Sequence, residues 1–217
     1  MNFVQKLAAA SQANRSLVCV GLDPDPKLMP VKNVLAFNKA IIDATIDLVC
    51  AYKPNLAFYE ALGLDGWRAL AGTVAHIASQ VPVIADAKRG DIGNTASAYA
   101  KALFETWGFD ASTVSPYLGY DSVEPFLQYQ DKGVILLCRT SNPGSADFQS
   151  LSCATGDGKP RPLYEIVAEK ARSWNQMGNI GLVVGATYPQ ELQRVRELCP
   201  DMPFLIPGVG AQGGDLE

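Results

Sequence analysis

The sequence predicts an α/β fold with a parallel sheet, and three observations support this class. Short apolar segments alternate along the 217 residues with segments whose apolar residues recur at helical spacing. The apolar segments are nearly continuous, which suits strands that are covered on both faces. The two kinds of segment follow one another at the spacing of βα units, and this favours a (β/α)8 barrel, or TIM barrel, over an open doubly wound sheet.

Each predicted strand is a short apolar run, and most of these runs are bounded by turn residues or charges. The strands cover 16–23, part of 51–62, 81–85, 111–116, 133–141, 179–185 and 203–207. The predicted helices have helical periodicity, and Asp65 and either Asn94 or Thr95 are candidate caps. The helices cover 31–50, 65–80, 94–104, 121–129, 163–177 and 189–198.

The longest stretch without a predicted element is 142–162, which is rich in Ser, Gly, Pro and Asp. Its length exceeds that of ordinary connections, so we expect a functional loop or a disordered one. We treat residues 1–217 as a single domain. Because the given sequence ends soon after the seventh predicted strand, we expect the eighth βα unit to lie outside it; an open barrel is the alternative.

Composition and charge exclude several classes of function. A net charge of −4 argues against a dedicated nucleic-acid binder. The sequence has neither an 18-residue apolar run nor a basic-then-apolar leader, so we expect a cytoplasmic protein. Five scattered cysteines without a CxxC pair predict free thiols. His76 is the single histidine, which makes a zinc site or a Ser-His-Asp triad improbable.

The stretch 81–99 carries the strongest functional signal. Asp86 and Lys88 follow an apolar strand and project to the same face, and Asp91 follows after Gly90. In an α/β barrel this end of the strand is where catalysis occurs. A lysine held between carboxylates stays protonated and can deliver a proton. The alternative is a solvated charge cluster on a loop.

Two further motifs lie at the ends of other predicted strands. The run at 208–213, GlyValGlyAlaGlnGly, matches G-x-G-x-x-G, but the given sequence stops before a ribose-binding acidic residue could follow. We therefore interpret it as a glycine-rich loop that can approach a phosphate, with Gln212 as an added donor. Asp23 lies at the same rim within AspProAspPro, and Lys53, near the start of its strand, could also be a surface lysine.

Together these motifs resemble the orotidine 5′-phosphate decarboxylase superfamily. AspAlaLysArgGlyAspIleGly fits its D-x-K-x-x-D signature. GlyLeuAspProAspPro, AlaTyrLysProAsn, ArgThrSerAsnProGly and ProGlyValGlyAlaGlnGlyGlyAsp occur in the matching order. The resemblance covers essentially the whole chain and is greatest to the bacterial subgroup with an enlarged loop after the fifth strand. It implies a TIM barrel that converts orotidine 5′-phosphate to UMP and CO2, the last step of pyrimidine nucleotide synthesis.

The resemblance also implies roles for single residues. Lys53, Asp86, Lys88 and Asp91 would form a catalytic network in a homodimer with shared active sites. Asp91, Ile92 and Thr95 would enter the site of the partner subunit.

The remaining roles concern substrate binding. Asp23 would bind the ribose hydroxyls, Ser141 would contact the pyrimidine, and Gln212 would hold the phosphate, with Pro207 also lining the substrate. The family's phosphate-binding arginine would lie beyond the given sequence. No metal and no cofactor is expected, since no thiamine or nicotinamide motif is convincing.

Three other functions stay open at this point. A sugar-phosphate decarboxylase of the same superfamily would use Mg²⁺, with Glu60 as a candidate ligand. A Schiff-base aldolase would use Lys53 or Lys88, although flanking carboxylates keep such an amine charged and poorly nucleophilic. The third is a protein that binds a pyrimidine nucleotide without turning it over.

Overall fold

The computed structural model describes residues 1–156 and 158–209, and in this part of the chain it has nine strands. They are β1 (Cys19–Leu22), β2 (Ala51–Pro54), β3 (Ile84–Arg89), β4 (Ala111–Val114), β5 (Gly133–Arg139), β6 (Ser152–Cys153), β7 (Arg161–Pro162), β8 (Ile180–Val184) and β9 (Phe204–Leu205). All except β6 and β7 belong to a parallel array and pair in chain order. The bridges Tyr52↔Val83 and Asn55↔Asp86 join β2 to β3, so the array is continuous from β1 to β9.

Helices connect these strands. The α-helices of the described residues are α1 (Phe3–Asn14), α2 (Val34–Thr45), α3 (Leu56–Glu60), α4 (Gly63–Ile77), α5 (Gly93–Lys101), α6 (Glu124–Leu127), α7 (Ala146–Gln149), α8 (Leu163–Trp174) and α9 (Pro189–Leu198). A π-helical turn, Ala102–Thr106, extends α5. The side chains of Asn33 and Asn55 cap α2 and α3 by accepting from backbone amides. None of the helices in the described ranges is long and apolar enough to span a membrane.

The alternation of strands and helices confirms the predicted α/β class, while several boundaries differ from the prediction. Helix α1 was not predicted, although Asn2 and Gln5 form a capping box at its start. Asp65 lies inside the first turn of α4 instead of capping it, and α5 begins at Gly93 without a side-chain cap. The stretch 142–162 is not irregular throughout, because it contains α7 and the antiparallel pair β6–β7.

The described part of the core has two layers. One lies between the sheet and the helices that cover it. The other is enclosed by the strands, and each parallel strand contributes a side chain to it. We call this inner layer the apolar floor; its strand residues are Cys19, Ala51, Ile84, Ala111, Ile135, Val183 and Leu205.

Helix α1 closes the amino-terminal end of the barrel beneath the apolar floor. Phe3 is buried against this layer, and its backbone amide donates to the carbonyl of Asp131 at 2.9 Å. Lys6 Nζ lies 2.6 Å from Asp110 Oδ1, while Asp110 Oδ2 accepts from the Val83 amide at 3.0 Å. The charged contact and the apolar plug together fix α1 across this opening, so the opposite end is the one available to a ligand.

We predict that Gly133→Ala destabilises the protein because of Phe3. A Cβ at position 133 would lie 2.3 Å from the Phe3 ring, and we expect a loss of about 1–3 kcal/mol in the free energy of unfolding by urea. In a Phe3→Ala background the same change should cost much less, since the clash is gone. Gly156→Ala is the matched control, because no described atom lies within 4 Å of its added Cβ. If the losses in unfolding free energy caused by Gly133→Ala and Phe3→Ala simply add in the double variant, this packing is contradicted.

Candidate active site

The site is built directly above the apolar floor, toward the carboxyl ends of the strands. Side chains alternate along a strand, so the residue two positions beyond each floor residue faces the same interior. Those residues on the first five strands are Gly21, Lys53, Asp86, Thr113 and Leu137. On β2, β3 and β4 the barrel interior therefore changes from apolar to charged or polar within one layer, whereas Gly21 and Leu137 keep the neighbouring positions apolar.

Asp86 is the centre of this charged layer. Its residue is 8% exposed, and both carboxylate oxygens are engaged. Oδ2 accepts from Lys53 Nζ at 3.0 Å, and Oδ1 accepts from Lys88 Nζ at 2.6 Å and from Thr113 Oγ1 at 3.0 Å. Residues of three strands, β2, β3 and β4, thus contact a single carboxylate. The contact between Asp86 and Lys88 agrees with the prediction that both face the same side, whereas the part of Thr113 was not predicted.

Lys88 occupies an irregular position near the end of β3. The register between β3 and β4 shifts between Ala85 and Arg89, and Lys88 has φ +46°, in the left-handed region. Its amide donates to Thr113 Oγ1 at 2.9 Å. A bulge of this kind redirects a side chain. The Lys88 side chain is 51% exposed although its ammonium is bound to a buried carboxylate, so a ligand in the mouth can reach it.

Electrostatics keep the Asp86 carboxylate ionised. Burial by itself would raise the pKa of Asp86, but the charge of Lys53 and the hydrogen bond and charge of Lys88 outweigh that effect. The net result is a pKa of Asp86 below its ordinary value. Lys53 is itself largely buried, with a side-chain exposure of 15%, so this charged group is held in a fixed arrangement before any ligand binds.

Asp23 lies at the rim beside this centre, where its Oδ1 accepts from the Asn55 amide at 3.2 Å. A buried network fixes the end of β1 just before it. The Tyr59 hydroxyl donates to the Leu22 carbonyl at 2.9 Å and accepts from Asn38 Nδ2, also at 2.9 Å. The exposed carboxylate of Asp23 is therefore presented from a rigid support.

Asp91 does not complete the charged centre within the described part of this chain. Its Oδ1 accepts from the Ile92 amide at 2.8 Å, and no ion pair with Lys88 occurs among residues 1–156 and 158–209. Ile92 is 54% exposed, and Thr95 is exposed on the first turns of α5. The structure thus brings together three of the four predicted network residues and leaves the fourth, half-buried Asp91, without a described contact to them.

The predicted substrate-binding residues on the far side of the barrel lie after β5 and β9. Ser141 follows β5, and its carbonyl accepts from Thr187 Oγ1 at 3.3 Å. Pro207 follows β9 and is half-buried, with its carbonyl accepting from the Ala186 amide at 2.9 Å. Gln212 lies outside the described residues.

Glu60, considered above as a Mg²⁺ ligand, forms an ion pair with the Arg89 side chain. Its Oε1 lies 2.5 Å from Arg89 Nη2, and the Arg89 guanidinium also stacks 5.0 Å from the centre of the Tyr99 ring. Among the residues that the structure describes, no group of three or more His, Cys, Asp or Glu side chains could hold a metal ion.

The histidine and the cysteines are not part of the charged centre around Asp86. His76 Nε2 contacts Asp43 Oδ1 at 2.6 Å between α2 and α4, away from the barrel mouth. Cys19, Cys50, Cys138, Cys153 and Cys199 are free thiols, as predicted. Burial raises the pKa of Cys19, in the apolar floor, to about 12.

Sequence reasoning missed Thr113 as a site residue. It is 1% exposed and contacts both Asp86 and Lys88. A signal was present, because the segment 111–116 was predicted as a strand and a polar residue inside a buried strand requires a partner. The identity of that partner depends on the register between β3 and β4, which the sequence does not display.

Comparisons with known proteins agree with this architecture. Residues 16–217 match the profile of the "Orotidine 5'-phosphate decarboxylase / HUMPS family". An orotidine 5'-phosphate decarboxylase from Dehalococcoides mccartyi is 60% identical over 218 residues, which cover 100% of this chain and 80% of the relative. One from Herpetosiphon aurantiacus is 55% identical over 222 residues, covering 99% and 82% respectively.

A solved structure gives the same result in three dimensions. The OMP decarboxylase of Leishmania donovani superposes with a TM-score of 0.87 and 45% identity, over 96% of this chain and 80% of that one. This neighbour and the relatives confirm the predicted barrel class. The absence of an eighth βα unit and the enlarged-loop subgroup stay predictions.

We predict that Lys53→Met lowers stability in a pH-dependent way. The lowered pKa of Asp86 means that its ionised form stabilises the wild type above the ordinary pKa of about 3.9, and that this stabilisation is lost as the pH falls through the folded value. Without Lys53 the pKa of Asp86 rises, because the charge that lowers it most is removed while the burial remains. Urea unfolding should show a loss of about 3 kcal/mol at pH 7.

The difference between wild type and Lys53→Met should shrink toward pH 3. The matched control is Lys39→Met, which removes an exposed lysine of α2 and should give a small difference that does not vary with pH. A difference for Lys53→Met that stays constant from pH 7 to pH 3 would show that Lys53 does not act through Asp86.

Proposed function

Because the chain belongs to the orotidine 5′-phosphate decarboxylase / HUMPS family, we propose that its charged centre decarboxylates orotidine 5′-phosphate to UMP and CO2. The observation that carries the assignment is the contact of Asp86 with both Lys53 and Lys88 at the open end of the barrel. This chain is 60% identical over its full length to an orotidine 5'-phosphate decarboxylase. That identity favours orotidine 5′-phosphate as the substrate over the sugar phosphate of the alternative considered above.

The reaction sets a demanding electrostatic problem. Breaking the bond between C6 and the carboxyl carbon releases CO2 and leaves the electron pair at C6, in the plane of the pyrimidine ring. That pair does not delocalise into the ring, so a fixed positive charge must stabilise it. The ammonium of Lys88 is suitable because it is held by a buried carboxylate and is still half exposed to the mouth.

Lys88 also supplies the proton that completes the reaction. The ammonium transfers a proton to C6, which forms the C6–H bond of UMP, and the resulting neutral amine regains a proton from solvent. Its pairing with Asp86 favours the protonated form before the transfer. One side chain thus provides both the stabilising charge and the proton, and the proposal requires neither a metal nor a cofactor.

Asp86 contributes through its own negative charge as well. A substrate carboxylate bound next to Lys88 would lie near the Asp86 carboxylate, and the two anions repel each other. This repulsion disappears as the substrate carboxylate becomes neutral CO2, so it disfavours the ground state relative to the transition state. The buried contacts of Asp86 with Lys53 and Thr113 keep it from moving away.

The rest of the substrate would be held around the rim. Asp23 and Lys53 are proposed to bind the ribose hydroxyls, and Ser141 the pyrimidine edge. Gln212 is proposed to hold the phosphate, and Pro207 to line the substrate. Binding energy from groups far from C6 can offset the desolvation of the charges at the reacting centre.

We also propose a homodimer in which Asp91 acts on the partner subunit's site. Support comes from the surface beside Asp91. Ile92 is 54% exposed, Tyr117 is 78% exposed and Leu118 is 50% exposed. The Ser115 amide donates to the Arg89 carbonyl at 2.7 Å, which brings the segment with Tyr117 next to the end of β3. An apolar surface of this kind next to an active site is suited to a second copy.

A cytoplasmic location is part of the same proposal, and the free thiols support a reducing compartment.

We predict that Lys88→Ala abolishes UMP formation while the fold survives. The loss should exceed 1,000-fold in kcat, on the order of what removal of a charge or proton donor at the reacting atom causes. The decrease in absorbance as orotidine 5′-phosphate is consumed measures the rate. Lys39→Ala, on the exposed surface of α2, is the control and should leave kcat unchanged. Turnover by Lys88→Ala near that of the wild type would reject the assignment.

We predict that two inactive variants complement each other if the active site is shared. Lys88→Ala and Asp91→Asn should each be inactive alone. In an equimolar mixture after subunit exchange, half of the dimers are hybrids with one intact site, so about a quarter of the wild-type activity should return. Mixing either variant with itself is the control. No recovery, with exchange shown by native mass spectrometry, would place Asp91 outside the partner's site.

A further inference from the structure

We propose that Thr113 is a positioning residue for decarboxylation, because its hydroxyl joins the backbone of Lys88 to the carboxylate that holds the Lys88 side chain. This inference rests on the proposed function of the charged centre, and it assigns a role to a residue of β4 that the D-x-K-x-x-D motif does not include.

The contacts form a closed circuit. The Lys88 amide donates to Thr113 Oγ1 at 2.9 Å, Thr113 Oγ1 donates to Asp86 Oδ1 at 3.0 Å, and Lys88 Nζ donates to the same oxygen at 2.6 Å. The backbone and the ammonium of Lys88 are thus tied to the same two neighbours. Because Thr113 is 1% exposed, the two hydrogen bonds of its hydroxyl are shielded from bulk water.

The backbone at Lys88 explains why such support is required. A lysine with φ +46° is less stable there than in an ordinary strand conformation, and it persists only when its surroundings hold it. The register shift between β3 and β4 directs the Lys88 amide to a side-chain oxygen instead of a strand carbonyl. The Thr113 hydroxyl therefore satisfies a donor that the bulge has displaced from the ladder.

The directions of the two hydrogen bonds at Thr113 Oγ1 show which kind of side chain position 113 requires. Since the Thr113 oxygen accepts from the Lys88 amide, its single proton is directed to Asp86, which accepts best when ionised. Asp86 also faces Lys53 from β2 and Lys88 on β3, and the Cys19 thiol of β1, whose pKa burial raises, lies within electrostatic range of it. Among the described side chains that donate to the Asp86 carboxylate, Lys53 and Lys88 are charged and Thr113 is neutral, so a replacement for Thr113 must keep a hydroxyl at this position.

The test compares Thr113→Val, which keeps the side-chain shape but removes both hydrogen bonds, with Thr113→Ser, which keeps the hydroxyl. We expect Thr113→Val to lower kcat by about 10- to 100-fold with KM changed by less than about threefold, since one hydrogen bond to a charged group and the lysine geometry are lost. Thr113→Ser should recover kcat to within about threefold of the wild type. Ser112→Ala, the adjacent and equally buried hydroxyl residue, is the matched control and should retain activity.

A second measurement separates positioning from general damage to the fold. Removing a hydrogen bond to the ionised carboxylate raises the pKa of Asp86, so a ¹³C NMR titration of labelled aspartate should show a higher pKa in Thr113→Val than in the wild type and little change in Thr113→Ser. The acidic limb of kcat/KM should move to higher pH in the same variant. Thr113→Ala provides a second hydroxyl-free variant if the valine does not fold, as judged by circular dichroism.

The outcomes are distinguishable. If the wild type turns over orotidine 5′-phosphate and a folded Thr113→Val variant keeps its kcat, or if Thr113→Ser is as impaired as Thr113→Val, the positioning role is overturned. An equal loss in Ser112→Ala would also overturn it, because the effect would then be one of strand packing. Absence of turnover by the wild type would instead reject the proposed function, whatever the titration shows.

Discussion

The structure of this site depends on one constraint, which is that a carboxylate with 8% exposure must be compensated by positive charge from more than one direction. Asp86 meets this constraint with Lys53 on one oxygen and Lys88 on the other. Because the lysines come from different strands, the pairing also fixes the position of β2 relative to β3, where the regular ladder is reduced to two bridges. The contacts that compensate the buried charge of Asp86 also hold the Lys88 ammonium at the barrel mouth. The same ion pairs therefore stabilise the fold and position the proposed proton donor.

The barrel separates these tasks along its axis. At the amino-terminal end, Phe3 and the Lys6–Asp110 pair close the interior, and the apolar floor provides packing without polar groups. At the opposite end, the positions two residues farther along β2 and β3 carry the charged side chains of Lys53 and Asp86. Helix α1 closes the barrel at the amino-terminal ends of the strands, so the substrate is proposed to enter at their carboxyl ends. The local irregularity at Lys88 is confined to the functional end, where neighbouring side chains can hold a strained backbone in place.

Features that depend on residues close together in the sequence could be predicted, whereas features that depend on contacts between distant residues could not. The strands at 81–85, 111–116 and 133–141 were predictable because apolar composition and turn residues are local properties. Asp86 and Lys88 could be assigned to one face from the period of a strand. The partner of Glu60 could not be predicted, since Arg89 lies 29 positions away along the chain, and Glu60 therefore stood as a candidate Mg²⁺ ligand of an alternative function. Helix α1 was missed although the Asn2–Gln5 capping box was visible, because no alternation with a strand preceded it.

The sequence by itself determined the α/β class, the order of the elements and the identity of the charged residues at the ends of the strands, because these follow from periodicity and from residue chemistry. Only the tertiary structure decided that Thr113 joins Lys88 to Asp86, that Asp91 accepts from the Ile92 amide and forms no ion pair with Lys88 among the described residues, and that Lys88 adopts a left-handed backbone. These features depend on the register between neighbouring strands. Register is set by the packing of many side chains at once, and it is therefore not readable from any single segment.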